Sequence, residues 1–539
     1  MKINPNEIFK EYENGVNFKA SIGSRGLYEQ NKINERFFIG DQWHGANCGN
    51  ERPLVRHNII KRIGDFKMSR VLASPISVRF SADGIPNTIG IQKKITKGLS
   101  SQNLEFLNSK ADNDEINLVM SALGKYQKVT AERVGLNSLC SELLRNAYIG
   151  GTGVLYTYWD SSVKTGLYAD GLENTAITGD ICCEVLKLEN VYFGDPTLNS
   201  VQEQPYIIIA AMQNLDAVLK EARSSGATEY DLKRIESDSE NGKVLVLTKL
   251  YKQRSINGEI TVKCIKVSEH AVIRAPFDTA LHLYPIAIFN WESRSDRIYG
   301  ESEVTYLIPN QIAINRMITA QVWASMITGM PMMVVNGDTV SGELTNDPGQ
   351  IIKIYGSNED VAGAVKYVTP PDFSSNFGQS IENLIKNTLT QSGANEAVLG
   401  DSRPDNATAI ITLQRAATMP IQLVKNRFYA FVEDFSRIWV DFWITKYGNR
   451  KIKIEDENGI WYMPFNAERY KNLIVTARVD VGEDTTYSAA ETVNTLTSLY
   501  EKGIITRRQY LKRLPSGIIP DVTELILEAE EEDNDNDGE

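Results

Sequence analysis

The chain has 539 residues, with 57 Lys and Arg against 69 Asp and Glu for a formal net charge of −12. That length exceeds one ordinary core and predicts roughly two to four lobes, while 42% hydrophobic and 23% charged residues are the balance of a folded protein. The acidity excludes a general duplex-binding surface of clustered cations, although a mildly repulsive wall suits a conduit past which a polyanion slides.

The opening stretch MKINPNEIFKEYENG has no apolar leader, and no run approaches the ~18 apolar residues of a membrane helix, so neither secretion nor membrane insertion is expected. Cys48, Cys140, Cys182, Cys183 and Cys264 form no CxxC pair. They indicate neither a disulfide framework nor a zinc site and suit a reducing cytoplasm.

Residues 1–80 alternate helical patterns with the punctuated stretch Phe37 to Trp43, where Gly40-Asp41 signals a turn. A helix is predicted from about Asn58 to Leu72, with Ile59, Ile60, Ile63, Phe66 and Val71 near helical spacing, and a strand over Ser77 to Phe80. A further helix through Leu136, Leu139, Leu143 and Leu144 reaches Gly150-Gly151-Thr152-Gly153, and a strand from Val154 to Trp159 follows. Phosphate-cradling loops place their glycines after a strand and before a helix. The order here is reversed, which favours a tight helix-to-strand turn needing positive φ over a phosphate site.

Cys183 to Pro196 reads as a strand, a turn and a Phe-Gly-Asp-Pro stop, and 244–290 as successive strands with an Asn257-Gly258 hairpin signal. From Ser302 the text turns helical. Pro309 should break or kink that helix and open a second one, running to about Thr328, before Gly329 and Pro331 stop it. Short strands follow at Met332 to Val335, Ile351 to Tyr355 and Val365 to Val368, parted by turns at Asn336-Gly337-Asp338 and Asp347-Pro348-Gly349.

After Pro370-Pro371 an amphipathic helix carries Phe377, Ile381, Leu384, Ile385, Thr388 and Leu389 on one face, with Asn376 and Gln379 as a capping pair and Gly393 closing it. Residues 393–406 form a polar loop. Ile421, Val424, Phe428, Phe431, Phe435, Ile438 and Phe442 then recur at alternating spacings of 3 and 4, predicting a helix from about Ala407 to Tyr447 kinked at Pro420. That stripe fits either a coiled coil or a helix laid across a domain core. Ser488 with Glu491 and Thr506 with Gln509 form capping boxes for two closing helices. A helix-turn-helix reader with Arg507, Arg508, Lys512 and Arg513 as its basic face is the alternative to a small helical cap.

Catalytic signals are absent from this text. Gly124-Lys125 and Gly242-Lys243 have Val119 and Ser237 where a phosphate loop needs its first glycine. His44, His57, His270 and His282 are scattered without metal or triad spacing. Asp533 to Gly538 imitates half a calcium loop, but the bidentate Glu of its twelfth position falls beyond Glu539. The run from Glu528 reads instead as a disordered acidic tail.

Taken as one unit, Ile286 to Ile327 joins a strand (Ile286 to Phe289), a polar turn, Tyr299-Gly300 and a long helix carrying Gln311, Asn315 and Gln321. This stretch, with the following helix, β module and returning helix, resembles the stem and clip of tailed-bacteriophage portal proteins, the head-to-tail connectors. The resemblance implies an α+β portal fold. Its parts would be a wing with an α/β amino-terminal portion over 1–300, a first stem helix over 301–328, a β-rich clip over 329–373 and a second stem helix over 374–392. A tunnel loop would occupy 393–406, the rest of the wing with its long kinked helix 407–484, an α-helical crown 485–528 and an acidic tail 529–539.

The same resemblance implies a ring, of twelve subunits in mature family members, at one capsid vertex of the virion, assembled in the host bacterial cytoplasm. Double-stranded DNA would pass through it, a terminase motor would dock on the clip during packaging, and head-tail adaptor or tail proteins would follow. Major capsid and scaffolding proteins would be further partners. No catalytic residue, metal or cofactor is implied. The candidate tunnel-loop residues are Asn395, Glu396, Asp401, Ser402, Arg403, Asp405 and Asn406, and the candidate clip contacts are Asn336, Gly337, Asp338, Asp347, Pro348 and Gly349. Arg403 would touch phosphate transiently while its acidic neighbours keep the contact weak; alternatively it pairs with Asp401 or Asp405 in a solvated loop, worth under ~1 kcal/mol. The rival classes are another structural virion component, such as an adaptor or baseplate protein, and a metal-dependent DNA-processing enzyme.

Overall fold

The computed structural model describes residues 4–45, 53–73, 77–83, 101–168, 176–255, 258–329, 332–335, 340–341, 353–354, 365–368, 375–394, 407–456, 459–471, 473–479 and 489–514. Among the described residues helix makes up 51% and strand 27%, so the expected α+β character holds. The chain opens with α1 (Pro5–Ala20), where the Asn4 side chain accepts from Asn6 N and Pro5 stands in the first turn. Next come α2 (Leu27–Ile39), ended by Gly40 at φ 96°, and α3 (Ile59–Leu72), capped by Asn58, whose Oδ1 accepts Lys61 N at 3.1 Å.

Strand β1 (Val78–Asp83) precedes a long helix, α4 (Ser101–Arg133), and then α5 (Leu136–Gly150). The sequence reading passes over α4, although Ile116, Val119, Leu123, Tyr126 and Thr130 mark its buried side. The main core gathers around α5, whose Leu143, Leu144, Ala147 and Tyr148 are fully buried. Strands β2 (Thr152–Tyr168), β3 (Ala176–Leu186) and β9 (Ile286–Asn290) form an antiparallel sheet of order β3-β2-β9, with Val154 opposite Ile288.

A second sheet is an antiparallel meander of β4 (Val191–Phe193), β5 (Tyr206–Asn214), β6 (Lys243–Arg254), β7 (Ile260–Val267) and β8 (Val272–Asp278). Ile8 of α1 packs on one face with Ile208, Leu247, Ile265 and Val267. The helices α6 (Leu215–Ser224) and α7 (Glu229–Ser237) bury Val218 and Ile235 against Val244, Val246 and Ile273. The expected β6–β7 hairpin closes with Arg254 opposite Ile260 and Gly258 at φ 86°; Asn257 lies outside the described residues.

The helix expected to break or kink at Pro309 is unbroken, a single element, α8 (Glu303–Gly329). An interior proline costs about 3 kcal/mol through a lost hydrogen bond and a clash with the preceding turn. Burial on both sides of it opposes that cost: Val304 and Leu307 before, Gln311, Ile314 and Asn315 after. The long helix Ala407–Lys446 likewise contains Pro420 without interruption. All seven residues of its apolar stripe are buried. Ring contacts such as Phe289–Phe428 at 5.8 Å and Phe431–Phe435 at 5.3 Å lay this helix across the core, which decides against a coiled coil.

Strands β14 (Asn449–Asp456) and β15 (Gly459–Asn466) form a hairpin, and β16 (Ile474–Val479) returns to pair with β1, Phe80 opposite Ala477. The closing helices are Ala489–Glu501 and Arg507–Lys512; Thr506 and Gln509 make the expected capping box, while Ser488 lies outside the described residues.

Candidate functional site

The most distinctive geometry is a helix–strand–helix limb and its footing on the body. The returning helix Ser375–Gln391 packs along α8, starting one residue before the expected cap Asn376, which is therefore inside it. Asn310 Nδ2 donates to Thr388 Oγ1 at 3.3 Å near one end, and a Cβ on Gly378 would lie 3.6 Å from Gln321 Nε2 near the other, so the two helices run antiparallel. Ile381, Thr388 and Leu389 are buried on the face the sequence marks, and Gly393 takes the left-handed conformation expected of a closing residue, φ 76°. Beyond α8, β10 (Met332–Val335) pairs antiparallel with β13 (Val365–Val368), and β11 (Val340–Ser341) with β12 (Lys353–Ile354). The limb thus leaves and returns through one strand pair.

Polar residues spaced one turn apart on α8 fix its footing. Gln311 Oε1 accepts Ile59 N at 3.0 Å and its Nε2 donates to His57 O at 2.6 Å. Asn315 Oδ1 accepts His57 N at 3.1 Å, and its Nδ2 donates to Gln42 Oε1 at 2.6 Å; Thr319 Oγ1 accepts Val55 N at 3.1 Å. Gln311 and Asn315 are buried, so their bonds satisfy amide groups that would otherwise be desolvated alone. Gln321, the third polar residue noted in the sequence, is exposed. From Met317 to Gly329 there is no Asp, Glu, Lys or Arg.

Upstream, Trp291 N donates to Gly151 O at 2.9 Å and Gly300 N to Thr152 Oγ1 at 2.8 Å. Gly151 has φ 90°, and a Cβ there would lie 2.3 Å from Gly300 O. This close backbone approach explains Gly151, while Gly153 is needed where a Cβ would lie 2.6 Å from Leu143 O, and Tyr299-Gly300 is the segment that docks on Gly151.

A charged joint sits where the limb meets the long helix. Lys67 Nζ lies 2.5 Å from Glu303 Oε1, with both side chains largely buried, and Trp291 Nε1 donates to Glu303 Oε2 at 2.9 Å. Arg427 donates to Trp291 O; its burial lowers the guanidinium pKa, against the opposing pull of Glu292. Lys67, Glu303, Asn310, Ser392, Pro420 and Arg427 line a cavity of about 350 Å³ here. A second joint ties the meander to the long helix: His282 N and Leu283 N donate to Asp441 Oδ2 at 2.7 and 3.0 Å, and His282 Nδ1 lies 2.8 Å from Asp441 Oδ1. The hydrogen bond to Asp441 raises the His282 pKa against the effect of burial, and Glu259 adds to the rise. No spacing in the sequence announces either joint, because each unites residues far apart in the chain.

The candidate tunnel-loop residues Asn395, Glu396, Asp401, Ser402, Arg403, Asp405 and Asn406 lie outside the described residues, as do Asn336, Gly337, Asp338, Asp347, Pro348 and Gly349. Among the described residues no group of three or more His, Cys, Asp or Glu is placed to hold a metal ion, and no helix is long and apolar enough to cross a membrane.

An α+β body with a braced helix–strand–helix limb defines a structural chain whose conspicuous feature is architectural. Residues 236–528 match the phage P22-like portal protein family, and the chain belongs to that family. The match spans β6 to β8, the limb, the long helix and the closing helices, so the resemblance read from Ile286 to Ile327 is borne out. The family is structural and non-enzymatic, and its members form a homo-oligomeric ring in the phage head. No curated protein matches the chain.

Proposed function

We propose that the protein is the conduit for genome packaging by the terminase, for DNA retention and for ejection, and later the platform for head-tail adaptors. In this reading the ring is a dodecamer at one capsid vertex, assembled in the host cytoplasm beside major capsid and scaffolding proteins. Residues 1–300 and 407–484 are the wing, 301–328 and 374–392 the stem, 329–373 the clip, 393–406 the tunnel loop and 485–528 the crown.

The observation that carries this reading is the antiparallel helix pair joined through β10 and β13 and braced on the body by Gln311, Asn315 and Thr319. A rigid limb with a small β module at its tip suits a docking surface, since loops on rigid elements carry recognition. The uncharged second half of α8 suits packing against neighbouring copies, where heterologous contacts close as rings. Deleting 330–369 is expected to leave rings assembled and abolish packaging; normal packaging by such rings contradicts the clip assignment. Replacing Arg403, Glu396, Asp401 and Asp405 together with Ala or Ser is expected to alter packaged genome length or retention. Unchanged genome length and virion yield remove the loop from the DNA path.

A further inference from the structure

A cavity of about 480 Å³ opens between α2, α5 and the stretch that follows β3, remote in sequence from the limb. Its lining includes the cations Lys32, Arg36, Arg145 and Lys187 against two carboxylates, Glu35 and Glu189. Glu35 is already committed: its Oε1 lies 2.5 Å from Arg145 Nη2. Lys32 and Arg36 stand one turn apart on α2, a like-charge spacing that costs helix stability, and both are exposed, as is Lys187 across the cavity. Among the described residues no carboxylate forms an ion pair with any of these three. Three exposed cations on the wall of one concavity, in a chain of net charge −12, make a local positive field that favours an anionic partner.

We propose that this groove takes an acidic peptide segment, and specifically residues 528–539 of this same chain. That stretch has eight Asp and Glu and no Lys, Arg or His, so it cannot neutralise itself. Carboxylates match a guanidinium fork such as that of Arg36. A volume of about 480 Å³ takes a few residues of the segment and is too small for a duplex. Between Leu514 and residue 528 the chain spans on the order of 45 Å when extended, and donation within one copy or between neighbours is an outcome of the test.

The test uses full-length protein in which the eight carboxylates of 528–539 are replaced by their amides, titrated with a fluorescent peptide of the natural 528–539 sequence. Saturable binding is expected, weakened about tenfold or more between 50 and 300 mM NaCl as screening grows. A version also carrying Lys32→Glu, Arg36→Glu and Lys187→Glu should lose at least about tenfold in affinity, while Lys220→Glu with Lys233→Glu, on the distant α6 and α7, should not. The chain with its natural stretch should bind added peptide more weakly, because its own segment competes. Competition that grows with protein concentration marks donation between copies, and competition independent of it marks donation within one. The proposal is overturned by absence of saturable binding, by undiminished binding to the groove charge-reversal protein, or by displacement of the peptide by an equimolar twelve-nucleotide oligothymidine, which would assign the groove to nucleic acid.

Discussion

Gln311 on α8 caps a helix that begins some 250 residues earlier: its Oε1 accepts the backbone N–H of Ile59, the first residue of α3, at 3.0 Å. One side chain therefore adds a second acceptor to the first N–H of α3, which also donates to His57 O at 2.9 Å, and holds the limb at a fixed place along the body.

Gln311→Ala should lower the unfolding free energy by roughly 1–3 kcal/mol, since it removes two hydrogen bonds from a buried amide and leaves Ile59 N–H and His57 O only their contact with each other. Denaturant titration checks this. Gln321→Ala, on the exposed side of the same helix, should change stability by no more than about 0.5 kcal/mol.

Phe435 is fully buried in the stripe of the long helix, between Phe431 and Trp439. Phe435→Ala should cost about 3–5 kcal/mol by leaving a cavity. Leu423→Ala on the opposite, 63% exposed face should cost little, and thermal unfolding of the pair separates packing from helix propensity.

Gly151→Ala should destabilise by at least about 3 kcal/mol, combining positive φ with a Cβ driven into the Gly300 carbonyl. The yield of folded protein and its melting temperature report it. Gly166→Ala, also at positive φ but with open space around it, should be tolerated far better.

The His282–Asp441 joint should make stability depend on pH. The folded-state pKa of His282 is raised above the usual histidine value, so its contribution is fully present below about pH 6.5 and is lost as pH rises through the folded-state pKa. The stability gap between the natural chain and His282→Gln should therefore be widest in mild acid and shrink on going alkaline. A gap that widens with rising pH contradicts the assignment.

Elements with strong local periodicity were legible in the sequence. The stripe from Ile421 to Phe442, the helix α3 and the Thr506 capping box depend on residues a few positions apart, and the structure returns them where expected. Pro309 shows the limit of that logic, because local chemistry predicts a break or a kink and tertiary anchoring at Val304, Gln311 and Asn315 holds one unbroken helix. The run YIIIAAM of β5 and the 3,4-spaced Ile116, Val119 and Leu123 of α4 were available signals. The footing network was not available, since His57 and Asn315, or Lys67 and Glu303, become neighbours only through the fold.

The most direct measurement of the portal assignment is electron microscopy of the full-length protein viewed end-on and side-on, with a small density label inserted after Gly337. The expected image is a closed ring around an axial channel, with the label at the narrow axial end. Particles without rotational symmetry, or a ring carrying the label on its outer rim, would contradict the assignment of the limb as stem and clip.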